Sequence, residues 1–137
     1  MAKGSSGHFH GTRGELISEV QSRGDKITPE KVLSIGKDKD GRIVWLEEGR
    51  LEPRPSGYVH ILDRHGGDFK NKGVAESDIP RLVIAAATKG KVVGYSGDRK
   101  VYEYNENGMV YHLAITISDN GYIVGANPED KWKDKSR

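Results

Sequence analysis

A chain of 137 residues is long enough for one hydrophobic core, and its lack of cysteine excludes a disulfide framework and a thiolate zinc site. No apolar run approaches the ~18 residues of a membrane span. A formal net charge of +2 is too small to mark a nucleic-acid binder by itself.

Residues 1–11, MAKGSSGHFHG, read as a polar, flexible lead-in without the apolar stretch of a signal peptide; His8 and His10 within it are incidental. Thr12 predicts the cap of a helix over GELISEVQSRG, with Leu16, Ile17 and Val20 as its apolar positions and Gly24 as its stop. Thr28-Pro29 predicts a second helix start. A hairpin follows, 32–35 against 42–47, turning at Asp40-Gly41. The Pro- and Gly-rich 49–57 is an irregular crossing that closes an N-terminal helix–hairpin segment, 12–56.

The core segment, 57–128, opens with a helix over 58–69 ended by Gly66-Gly67. Tyr58, Ile61, Leu62 and His65 share one face of it, and His60 sits at the margin. A second helix over SDIPRLVIAAATKG carries the stripe Ile79, Leu82, Val83, Ala86 and Ala87. Ser77 or Asp78 caps it, and Gly90 gives a left-handed exit. Four strands then form a meander, roughly 91–95, 99–105, 109–117 and 121–126, reversing at SGDR, Asn107-Gly108 and Asn120-Gly121. In the third strand Met109, Tyr111, Leu113, Ile115 and Ile117 alternate with Val110, His112, Ala114 and Thr116. The first set is a core face. The second places an imidazole and a hydroxyl either side of a small alanine, which leaves room for a ligand. The tail, 129–137, alternates charges and should fray. The fold class is therefore α+β, with helices on one face of a four-stranded antiparallel sheet and the other face free.

His60, His65 and His112 suggest a chemistry. RNA is cleaved when its 2′-OH loses a proton while the 5′-oxygen gains one, and imidazoles titrating near neutrality do both without a metal or cofactor, leaving a 2′,3′-cyclic phosphate. Lys91, Arg99, Tyr95 and Thr116 stand near enough in sequence to steady the charged phosphorus. Lys89, Lys91, Arg99 and Lys100 form a basic cluster around the first hairpin of the meander. Tyr95, Tyr102, Tyr104 and Tyr122 offer stacking surfaces for bases. Each feature has a plainer reading beside it: core or partly exposed histidines, a lysine-blunted sheet edge, tyrosines that merely pack. No phosphate-cradling glycine loop and no nucleophile elbow occurs, and the spacing of His60 and His65 is not that of helical metal ligands.

HILDRHGGDF, KGKVVGYSG, RKVYEY and HLAITISDNGYIVGANP, preceded by GELISEVQSRGDKITPEKVLSIGKDKDGRIVWLEEG, resemble the C-terminal toxin domains of bacterial polymorphic and contact-dependent growth inhibition toxins. The resemblance spans 7–128 and implies the barnase/EndoU/colicin/RelE-like nuclease fold. It further implies an antibacterial ribonuclease, of a kind often directed at tRNA, delivered from a secreted or surface-displayed effector into the target-cell cytoplasm. A cognate immunity protein would neutralise it, and an acidic one would suit the basic cluster. The positions implied as functional are His60, His65, Arg99, Thr116 and Asn127. On this reading His65 and Thr116 carry the chemistry, with His60 and His112 in reserve. A non-catalytic RNA- or protein-binding module and a metal-dependent DNase remain the alternatives.

Overall fold

A computed structural model describes residues 11–134, so the lead-in up to His10 and the last three residues of the tail lie outside the described residues. The chain runs α1 (Arg13–Ser22), β1 (Val32–Lys37), β2 (Ile43–Glu47), α2 (Gly57–Asn71), α3 (Ile79–Lys89), β3 (Lys91–Ser96), β4 (Arg99–Glu106), β5 (Met109–Ile117), β6 (Ile123–Pro128) and β7 (Lys133–Asp134). Among the described residues no helix is long and apolar enough to cross a membrane.

Thr12 starts α1 through a reciprocal cap: its hydroxyl accepts from the Glu15 N–H at 3.1 Å, and the Glu15 carboxylate accepts from the Thr12 N–H at 2.8 Å. The helix expected at Thr28 is only a single 3₁₀ turn, Pro29–Lys31, because Val32 is already drawn into the β1–β2 hairpin. β2 is buried along its whole length. Its alternating side chains serve two cores: Ile43 and Trp45 face Leu16, Ile17 and Val20 of α1, while Val44 and Leu46 join the main core. The Trp45 N–H donates to the Gly121 carbonyl at 3.0 Å, tying the hairpin to the larger sheet.

α2 does not end at Gly66-Gly67 but continues to Asn71. Two helical glycines cost roughly 1 kcal/mol each. Phe69, fully buried one turn later, returns about 1.5–3 kcal/mol and holds the last turn down. The buried line of α2 is Ile61 and Phe69, with Tyr58 and Leu62 at its border. α3 buries the expected stripe. Its exit at Gly90 is not left-handed: φ is −77°. Glycine is required there because a Cβ would lie 2.6 Å from the Ala86 carbonyl oxygen and 2.7 Å from that of Glu103.

The large sheet is antiparallel in the order β6-β5-β4-β3-β7, so it has five strands where four were expected. The last meander strand starts at Ile123 instead of 121, since Gly121 and Tyr122 are engaged by β2. Leu113 and Ile115 are buried in one cluster with Ile79, Leu82, Val83 and Ala86 of α3, as the alternation in β5 requires. Met109 extends past this core and is exposed.

The opposite face is not free. The charged tail, expected to fray, turns back after β6 and crosses the sheet as a strap over 129–134, whose end pairs with β3 at Gly94 and Tyr95. Beneath it Val101, Ala114 and Asn127 are buried. Gly94 permits this approach, because a Cβ there would lie 2.0 Å from the Lys133 carbonyl oxygen and 2.4 Å from the Trp132 ring. Gly94→Ala should therefore expel the strap while leaving the meander folded. Trp132 fluorescence should shift to the red, with fully buried Trp45 as the internal reference; an unchanged spectrum would show that the strap tolerates the methyl.

Candidate functional site

The strand register sorts the residues of the strap-covered face into rows. Lys100 pairs with Ile115, so one step outward Arg99 stands beside Thr116; Arg99 also pairs with Ser96, and Thr116 with Gly125. The first row thus reads Ser96, Arg99, Thr116, Gly125. The middle row is Gly94, Val101, Ala114, Asn127, and the third is Lys91, Glu103, His112.

The first row meets a carboxylate from the strap. The Arg99 guanidinium donates to the Asn127 side-chain oxygen and lies 3.8 Å from the Glu129 carboxylate, which also accepts from the Ser96 hydroxyl at 2.9 Å. Neighbouring strands are ~4.8 Å apart, so a flat sheet would hold β3 about 14 Å from β6. Contact between Glu129, just past β6, and Ser96 on β3 therefore requires the sheet to depart from flat. The register shifts at Val92/Gly94 and Thr116/Ile117 are bulges, which bend a strand and raise its twist.

His60 reaches the end of this row from α2. Its Cδ2 lies 3.5 Å, and its Nε2 3.7 Å, from where a Cβ on Gly125 would be. Nδ1 is buried with no hydrogen-bond partner. Burial, and behind it the positive charges of Arg64 and His65, holds the imidazole below its usual range, against a smaller opposing effect of Asp63. His65, expected on the packed face, is half-buried and its Nδ1 meets the Asp68 carboxylate at 2.9 Å. It joins none of the contacts above. Five residues along a helix turn the two histidines ~140° apart, and only one of them faces β6.

His112 belongs to the third row. Its Nε2 donates to Glu103 at 2.9 Å, and that hydrogen bond, ahead of the nearby Lys91 charge, holds the Glu103 carboxyl below its usual range. Lys91 lies 3.8 Å from the other Glu103 oxygen, and Trp132 covers His112 with ring centroids 4.6 Å apart. Four residues of antiparallel strand separate His112 from Thr116, about 14 Å at ~3.4 Å per residue. The two do not share one phosphate.

The basic cluster is divided by the sheet. Arg99 is bound on the strap side, whereas Lys89 and Lys100 line a groove on the other. Of the four tyrosines only Tyr95 is exposed; Tyr102 is buried, Tyr104 packs on the core and Tyr122 stands edge-on to Trp45. Glu129, Ser96, Glu103 and Trp132 were missed by sequence reasoning. The alternation of β3 and β4 could have found Ser96 and Glu103; nothing local marks a fraying tail as a strap. Among the described residues no cluster of three His, Cys, Asp or Glu has the arrangement of a metal site. Comparison with models of protein families and with curated proteins finds no match to this chain.

Proposed function

We propose that this chain is the ribonuclease domain of an antibacterial toxin, acting on RNA of the tRNA class without a metal and held in check by an immunity protein. The observation that supports this best is the first row. A guanidinium and the Ser96 hydroxyl meet the Glu129 carboxylate, Thr116 shares their row by register, and an imidazole favoured in its neutral form stands at the end of the row. A carboxylate and a phosphate make the same demands on arginine. In this reading a substrate phosphate displaces Glu129 from Arg99. His60 takes the proton of the ribose 2′-OH, the 2′-oxygen bonds to phosphorus, and the bond from phosphorus to the 5′-oxygen breaks, that oxygen taking a proton from water. The cyclic phosphate remains on the upstream fragment. Arg99, Thr116 and Asn127 bear on the charge at phosphorus. Lys91 and His112 contact flanking nucleotides; Tyr95, which pairs with Lys100, belongs to the other face, and His65 has no part in the chemistry.

Incubation with tRNA and with plasmid DNA, each with and without EDTA, tests this. Cleavage of tRNA to ends carrying 2′,3′-cyclic phosphate, indifferent to chelator, is expected. No cleavage would mean a binding module, and chelator-sensitive nicking of plasmid would mean a metal-dependent DNase; either overturns the reading.

A further inference from the structure

On the side of the sheet away from the strap, a groove of about 470 Å³ runs between the β1–β2 turn, the end of α3 and the first residues of β3. Lys37, Lys39, Lys89, Lys91 and Lys100 line it, against two aspartates, Asp38 and Asp40. Asp38 is engaged inside its own turn, accepting from the backbone N–H groups of Asp40 and Arg42, both at 2.9 Å. Lys37 lies 3.3 Å from Glu19. Lys39, Lys89 and Lys100 are exposed and form no ion pair among the described residues.

We infer that this groove binds the sugar–phosphate backbone of RNA and directs it past Lys91 onto the strap-covered face. Lys91 is the link: it lines the groove, while its ammonium meets Glu103 on the opposite face. The direction of the path rests on the ribonuclease reading; occupancy of the groove does not. The lining chemistry favours RNA over an acidic protein. Protein interfaces are depleted in lysine and anchored by exposed aromatics or arginine, and the one aromatic here, Tyr102, is only 8% exposed. Lysines without accessible aromatics neutralise phosphates and read no bases.

The test uses a fluorescent single-stranded 2′-O-methyl RNA, which binds but cannot be cleaved through its 2′-oxygen. Anisotropy titrations over a range of salt would compare the parent with Lys39→Gln/Lys89→Gln/Lys100→Gln, whose fold is checked by circular dichroism. Each lysine neutralising a phosphate contributes about −0.7 to the slope of log K against log salt, so the triple variant should lose roughly 2 units of slope and bind at least ~10-fold more weakly at moderate salt. Unchanged affinity and slope, or no binding by the parent at low salt, would overturn the assignment. Weakened binding by the variant, with no cleavage of unmodified RNA by the parent, leaves the groove standing and removes the ribonuclease. Cleavage by the parent with unaltered binding by the variant does the reverse.

Discussion

His60→Phe should abolish most RNA cleavage while leaving the domain as stable as the parent, or more so. The imidazole keeps Nδ1 buried without a partner, an arrangement that costs about 1–3 kcal/mol. Phenylalanine fills the same space without that cost. Loss of a general base typically lowers rate by ~10²–10⁴. A structural histidine would give the opposite pattern, with stability falling and activity following the folded fraction. His65→Ala, by contrast, removes only the Asp68 pair at the surface and should cleave RNA almost normally. The pH dependence follows from the depressed pKa. With His60 neutral further into acid, the acidic limb of kcat/KM should lie below the ordinary imidazole value of about 6.5. Stability carries the matching sign. Above that value neither folded nor unfolded His60 is charged. As pH falls toward the depressed folded pKa, the unfolded chain binds the proton first and stability is lost. His60→Phe lacks that loss, so its stability advantage should grow on acidification. A parent limb at or above the ordinary value would remove His60 as the base.

Arg99→Ala should lower cleavage by ~10²–10³, the usual range for removing one preorganised group that stabilises developing charge. Arg99→Lys should restore only part of it, since lysine keeps the charge but not the fork that spans Asn127 and Glu129. Glu129→Gln gives the sharper result. If its carboxylate holds the position of the substrate phosphate, neutralising it should lower KM with little change in kcat. If Glu129 only fastens the strap, the variant should lose stability and leave KM where it was. Steady-state kinetics on a short RNA, paired with thermal melts, separates the two outcomes.

The sequence made much of the frame legible. The alternation in β5 set the buried pair Leu113 and Ile115, Thr12 announced its cap, and the Asn-Gly pairs marked the reversals. All of these signals are local. What failed was settled at a distance. Gly66-Gly67 looked like a helix end because the burial of Phe69 is a tertiary fact. Gly90 looked like a left-handed exit, but a neighbouring strand's carbonyl explains it. At the candidate site, Thr116, Arg99 and Asn127 fell together because strand register is periodic. His60 and His65 could not be ranked from the helix alone, since the choice depends on which side meets β6. Glu129 and Trp132 escaped because a charged tail shows no pattern that points to a sheet.

That strap also has a place in the order of folding. Every other contact within the large sheet joins strands that are consecutive in the chain, so β3 to β6 assemble from hairpins with short loops. β7 instead closes a loop back to β3, across the whole meander, for only two paired residues. Loop closure costs entropy that grows with the intervening length, and so brief a ladder returns little against it. β7 is then the last strand to dock and the first to leave. Its amides should exchange with solvent by a local opening that spares β4 and β5, and a pull on the C-terminal end should unfasten the strap, uncovering Arg99, before any strand of the meander parts.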